Sequence, residues 1–214
     1  MKSSIMTVVA VAAAIFFTAS ASAETRYFTK TRGDKFISTM TISEKSIPGG
    51  FEARFGEGNK YEIHTMNSAR MTTALRIVNP EKDTDVTVTL KDGLFHFKGK
   101  VRGKNVDKTE KSSGDPWYQN PEINGLKFLK GKKDFRIQVI RPTEVDRFTL
   151  KSTDKGTETI DGFTVTHIVN TNVGAFAGAW KCSYCFDVNT NEFVLYKSVE
   201  GAPGTPETKI VIKK

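Results

Sequence analysis

Cysteine and histidine are scarce: the chain carries two cysteines, Cys182 and Cys185, and three histidines, His64, His96 and His167. A structural zinc site takes about four ligands, and two thiols with one well-placed imidazole fall short of that, so no metal or other cofactor is expected. The sequence also lacks a GxSxG elbow, an HExxH pair, a phosphate-binding glycine loop and a second histidine cluster. Without those motifs the common hydrolase, metalloprotease and nucleotide-binding chemistries have no residues to carry them. No internal repeat or low-complexity linker divides the chain, which reads as a single domain over residues 24–214.

No apolar run reaches the roughly 20 residues of a membrane-crossing helix. The longest, from Ile5 to Phe17, follows Lys2 and precedes the small residues Ala21 and Ala23. That is the pattern of a secretory signal peptide over residues 1–23, cut between Ala23 and Glu24. Glu24 stands where a bacterial lipoprotein has its acylated cysteine, so no lipid anchor is expected. The mature chain then has no transmembrane segment and belongs in a periplasm or outside the cell, where disulfides are allowed.

Acidic residues are outnumbered, 24 against 32 Lys and Arg; the net charge is +8, and loss of Lys2 with the leader leaves +8 − 1 = +7. For an exported chain this balance points to an anionic envelope surface and not to nucleic acid. Lysines spread along the whole chain also serve solubility alone. The densest runs, KGKVRGK and LKFLKGKK, suit an anionic headgroup.

What the sequence has in abundance is alternation. Phe51, Ala53 and Phe55 alternate with polar residues, as do Tyr61, Ile63 and Thr65, then Met71, Thr73, Leu75 and Ile77. These are half-buried strands. VTVTL and LFHFKGKV are joined through Asp92–Gly93, a tight hairpin signal, and Arg102–Gly103 marks the next turn. Residues 112–133 break the rhythm with Pro116, Pro121, Gly125 and Gly131, leaving room only for short helical turns, best placed in NPEINGLKFLK. Strands resume through DFRIQVI, DRFTLKS, GFTVTHIVN, AWKCSYCFDV, EFVLYKSVE and TKIVIKK. The fold class is mainly β: one large curved antiparallel sheet, a half-barrel or open barrel, with a short helical insert. The concave face is either plugged or open to a ligand. The apolar insert residues Trp117, Tyr118, Leu126, Phe128 and Leu129 suit a plug, or a lid.

Along one strand Trp180, Cys182, Tyr184 and Phe186 share a face, and Lys181, Ser183, Cys185 and Asp187 the other. The thiols therefore point apart, and no helix follows to lower a thiol pKa as in thioredoxin-type pairs. A Cys182–Cys185 disulfide is possible only if the backbone bulges; otherwise both are free. His64 and His96 fall on polar faces, and Glu52, Glu57 and Glu62 read as solvated carboxylates and not as a glycosidase pair. His167 shares a face with Phe163, Val165 and Val169, as a core histidine or one aimed into a cavity.

The stretches TETIDGFTVTHIVN and WKCSYCFDVNTNEFVLYKSVEG resemble the closing strands of exported bacterial proteins of unknown function, grouped with the outer-membrane lipoprotein carriers and their half-barrel relatives. Tyr184, Phe186 and Asp187 fit the pattern, and Cys185 stands where tryptophan is expected. The resemblance covers residues 134–214. It implies a curved sheet holding an acyl chain or another apolar ligand, and it carries over no catalytic residue. The expected function is non-catalytic binding of a lipid-like or amphipathic ligand on a concave face by Phe163, Val165, His167, Trp180 and Tyr184, with Trp117 and Phe128 over the opening. The alternatives are an exported thiol-redox or hydrolytic enzyme, or a structural, partner-binding module.

Overall fold

The computed structural model describes residues 24–120, 129–173, 180–199 and 204–213. The segment expected to be a leader, residues 1–23, lies outside them. The first strands are β1 (Glu24–Arg32), β2 (Lys35–Ile47), β3 (Gly50–Glu57), β4 (Lys60–Asn67), β5 (Thr72–Asn79), β6 (Thr84–Lys91), β7 (Leu94–Val101) and β8 (Lys104–Lys111). After residues 112–134 come β9 (Phe135–Arg141), β10 (Asp146–Ile160), β11 (Phe163–Asn172), β12 (Lys181–Asp187), β13 (Phe193–Ser198) and β14 (Thr208–Ile212). All belong to one antiparallel sheet in the order β8-β7-β6-β5-β4-β3-β2-β1-β14-β13-β12-β11-β10-β9. Two meanders are thus stitched together where β1 pairs with β14, and β8 and β9 are the free edges.

Local chemistry explains the tight turns. Asp92–Gly93, Arg102–Gly103 and Asp161–Gly162 all take positive φ at both positions (51° and 74°, 49° and 79°, 50° and 80°). That is the geometry of two-residue hairpin turns whose twist matches the flanking strands. The helical insert expected in NPEINGLKFLK falls largely on residues 121–128, outside the described residues. Among the described residues the helical content is one 3-10 turn at Pro80–Lys82.

In a meander the turns alternate between two ends. One end carries the turns at 33–34, 58–59, 80–83, 102–103 and 142–145, with the connections after β11 and β13. The other carries the turns at 48–49, 92–93 and 161–162 and both ends of the long 112–134 connection. The described part of that connection folds into the curl of the sheet. Trp117 is 1% exposed and packs edge-on to Phe95 (centroids 5.0 Å apart, planes at 89°), while Leu129 joins a core of Phe28, Met40, Ile42, Ile168, Phe186 and Phe193. Among the described residues the second end is therefore largely plugged, with a cleft of about 340 Å³ left beside Trp117 and Leu90, and no described segment fills the first end in the same way.

The two edges are protected differently. The β8 edge reads KNVDKTEK, and Lys104, Lys108 and Lys111 discourage pairing with another strand. The β9 edge is covered. Gln138 N–H donates to the Pro116 carbonyl (2.9 Å), Tyr118 N–H to the Gln138 carbonyl (3.3 Å), and on the far side Thr72 N–H to the Trp117 carbonyl (2.9 Å). Residues 116–119 so bridge β9 to the start of β5, and Ile140 packs with Leu75, Val88, Phe95 and Phe97 across the interior. The sheet curls nearly into a barrel without β8 and β9 sharing a ladder.

Candidate functional site

Cross-strand register sorts the expected binding residues by face. Directly paired residues share a face, and β11 pairs with β12 as Thr166–Phe186, Ile168–Tyr184 and Asn170–Cys182 on one side, and Val165–Asp187 and His167–Cys185 on the other. The first set faces the interior of the curl. Trp180 and Tyr184 belong there, packed on the main core, with the Tyr184 ring 5.1 Å from that of Tyr196. Phe163, Val165 and His167 face outward. The structure does not bring these five residues together on one face.

The outward face has its own small core. Val165, Cys185 and Leu195 are fully buried there, with Ile160, Phe163 and Val211 packed around them. His167 is 16% exposed, pairs through Nδ1 with Glu158, and lies 2.9 Å through Nε2 from Ser183 Oγ. It is neither a core histidine nor a cavity residue. Asp161, in the β10–β11 turn, reaches Lys197 at 2.9 Å and Lys209 at 3.3 Å on the same face.

Cys182 and Cys185 are both buried and form no disulfide. The register shift between β12 and β13 falls after Cys185, and its extra residue is Val194 on the partner strand. β12 therefore stays extended from Cys182 to Cys185, and its alternation sends one thiol inward and the other outward. Burial pushes the Cys185 thiol up to about 12, so at neutral pH it is a protonated, small apolar group. Neither cysteine has the exposed, electropositive setting of a reactive thiol.

Strand β4 reverses its expected polarity. Its inward residues are Glu62, His64 and Met66, in register with Phe55, Ala53 and Phe51 of β3; Tyr61 faces outward, stacked under the Arg54 guanidinium (3.9 Å). His64 is 1% exposed. Its Nε2 lies 3.0 Å from Glu62 Oε2, which also accepts from Asn120 Nδ2 at 3.1 Å, while His64 Nδ1 is buried with no partner. The carboxylate and imidazole thus form a polar island inside the curl and not a solvated face. The Glu-x-His spacing, two residues on one face of a strand, was the available signal. Among the described residues no three His, Cys, Asp or Glu side chains converge as a metal site would require.

Among the described residues, two clefts flank the β9–β10 turn at the less filled end. The first, about 380 Å³, is lined by Arg141, Phe148, Thr149, Asn172, Val173 and Trp180. The second, about 350 Å³, has apolar walls in Phe55, Tyr61, Ile77, Ile140 and Pro142 and polar groups in Lys60, Glu62 and Gln119. Both volumes sit at the small end of the range for ligand pockets, roughly 300–1,000 Å³. Of the expected contacts, Trp180 lines a cleft. Tyr184 packs, partly buried, against the main core; Trp117 is buried in the connection that fills the opposite end and also lines a cleft of about 340 Å³ there, beside Met71, Leu90 and Gln138; and Phe128 lies outside the described residues.

No protein-family profile and no curated protein matches the chain by sequence. Solved structures do match. A β-barrel-like protein of the domain of unknown function DUF1849 from Brucella abortus aligns over 90% of this chain and 95% of its own, with a TM-score of 0.58 and 11% identity. The hypothetical lipoprotein YmcC from Escherichia coli aligns over 88% of this chain and 83% of its own (TM-score 0.35, 14% identity). The lipoprotein LppX from Mycobacterium tuberculosis does so over 89% and 85% (TM-score 0.29, 10% identity). The class is thus a barrel-like curved sheet, the fold that the C-terminal strands resemble, and the likeness to the DUF1849 protein extends from that third to nearly the whole chain. At this identity it is a likeness of fold alone.

Proposed function

We propose that the protein is an exported, non-catalytic binding protein that takes an apolar or amphipathic ligand at the open end of its curled sheet. The observation that carries this reading is the first cleft, where Trp180, Phe148 and Val173 offer apolar wall and the Arg141 guanidinium sits 5.4 Å over the Phe148 ring. An apolar pocket with a few polar groups at its lip is the general form of a small-molecule site. The packed middle of the interior limits the ligand to a short chain or one end of a longer one. Burial of both thiols argues against the redox alternative.

Titration with an environment-sensitive fluorescent fatty acid tests it. Wild type is expected to bind saturably, and Trp180→Ala to bind at least about tenfold more weakly, since full burial of a large apolar side chain is worth about 1.5–3 kcal/mol. No saturable binding by folded wild type overturns the reading. The partner-binding module would then be the better account, and the extent to which native side chains already fill the interior favours it.

A further inference from the structure

Six large apolar side chains are conspicuously exposed among the described residues, and four of them lie at the open end: Phe36 (59%), Ile37 (41%), Val173 (40%) and Val199 (43%). The other two, Tyr27 and Leu94, lie elsewhere. The four belong to the β1–β2 hairpin and to the connections after β11 and β13. These are neighbours in space, because the sheet order runs β2-β1-β14-β13-β12-β11. Gly33 N–H of the hairpin donates to the Glu207 carbonyl at 2.8 Å, tying the hairpin tip to the β13–β14 connection. The result is one arc of rim, and Val173 continues it into the first cleft.

The hairpin displays its apolar tip through its register. Ser38, Met40 and Ile42 of β2 pair with Lys30, Phe28 and Arg26 and face the interior, and unbroken alternation would turn Phe36 inward as well. A bulge between Lys30 and Thr31 inserts Ile37 as an extra residue, so that Phe36 pairs with Thr31 and faces out. Bulges re-aim side chains in this way at the rims of barrels. Exposed Arg32 and Lys35 flank the tip, Lys181 lies further along the arc, and Arg102 and Lys104 stand at the same end. Among the described residues the acidic groups beside the arc are Asp34 and Glu207, the latter 4.0 Å from Lys209, while Glu57, Glu81, Asp83, Glu144 and Asp146 at the same end are each paired with a lysine or arginine. Apolar side chains projecting from a cationic rim match the chemistry of an anionic phospholipid surface, in which the side chains enter the acyl boundary and the cations meet the headgroups.

We propose that this rim is a docking surface for an anionic phospholipid bilayer, bringing the mouth of the Trp180 cleft to the membrane. This extends the ligand-binding reading but does not require it, because vesicle binding and probe binding are separate measurements. The test is flotation of the full chain with vesicles of phosphatidylglycerol and phosphatidylethanolamine, compared with pure phosphatidylcholine, at low and high salt. Binding to the anionic vesicles alone, weakening as the Debye length shrinks from about 10 Å at 0.1 M to about 3 Å at 1 M, is expected. Phe36→Ser with Ile37→Ser should weaken it at least about tenfold, and Lys35→Glu at least about fivefold. Neither variant touches the cleft, so both should keep wild-type circular dichroism and fatty-acid affinity. Equal binding to neutral vesicles, no binding to anionic ones, or binding untouched by the variants would overturn the proposal. So would concentration-dependent self-association lost in the Phe36/Ile37 variant without vesicle binding, which would assign the rim to a second copy of the chain. Vesicle binding with no fatty-acid affinity would uphold the docking surface and overturn the cleft instead.

Discussion

Gln119 acts as a strand for Ile140: its side-chain oxygen accepts from Ile140 N–H at 2.9 Å and its amide nitrogen donates to the Ile140 carbonyl at 2.8 Å. The same oxygen accepts from Trp117 Nε1 at 2.9 Å. One side chain therefore continues the ladder that residues 116–118 begin on the β9 edge, at the point where the backbone of the connecting segment turns away. Buried backbone groups left without partners are costly, and here the sequence supplies an amide with both a donor and an acceptor.

Replacing Gln119 by alanine should cost about 2–4 kcal/mol, the net worth of the bonds plus the penalty for stranding Ile140 and Trp117 Nε1. Gln119→Glu isolates the donor: it keeps an acceptor for Ile140 N–H and sets a carboxylate against the Ile140 carbonyl. Urea unfolding should rank wild type above both variants. Hydrogen exchange should show faster opening at the Ile140 amide than at β1–β3, and equal protection there in the alanine variant would remove the edge-covering role.

The sheet itself was legible from alternation and turn chemistry, as in Asp92–Gly93 between β6 and β7, because period two and positive φ are local properties. Which face a residue occupies was not. Trp180 and His167 both sit in apolar alternations, yet the register of β11 against β12 sends them to opposite sides, and register is set by pairing partners far along the chain. Strand β4 misleads for a related reason: Tyr61 and Ile63 look like its buried set, but Ala53 and Leu75, in register with His64, fix the histidine inward. The clefts were legible only as a choice between plug and cavity, since what decides it is which end the 112–134 connection enters.

Thiol chemistry should be silent in the native state. Cys182 is 1% exposed, and Cys185 is fully buried with its thiol held up near 12 by burial. Ellman's reagent should label neither cysteine of the native protein over minutes and both after denaturation. The Cys182→Ala, Cys185→Ala double variant should remain folded with a modest loss of stability, about 1–3 kcal/mol. Rapid native labelling of either thiol would restore the redox reading.

Gly99 is required where β7 crosses opposite Val86. Its φ is 138°, and a Cβ there would lie 2.2 Å from the Asp85 carbonyl oxygen, a backbone atom that cannot swing aside. Gly99→Ala should destabilise by about 2–4 kcal/mol, combining backbone strain with a broken β6–β7 ladder. Gly58→Ala gives the contrast, since its φ is also positive, at 60°, but nothing lies within 4 Å of the added carbon. Its loss should be about 1 kcal/mol. A thermal-denaturation series in which the two variants melt together would show that the close approach to Asp85 does not matter.

Asp161 links acid stability to the outward face. Its hydrogen bond to Lys197, and a weaker one to Lys209, hold its carboxyl below the usual aspartate range against a smaller opposing effect of burial. A carboxyl whose folded pKa lies below its unfolded value, about 3.9, stabilises the fold at neutral pH. That contribution fades as pH falls through about 4 toward the folded pKa. Asp161→Asn removes the charge while keeping a residue that tolerates the positive φ of the turn. Because the pair is partly exposed, the expected loss at pH 7 is about 1 kcal/mol or less, read as a lower urea midpoint. The gap between variant and wild type should narrow below pH 4 and in high salt, where screening weakens the same pairs. A gap that persists unchanged at pH 3 would mean that the asparagine disturbs the turn and that the carboxylate's charge contributes nothing.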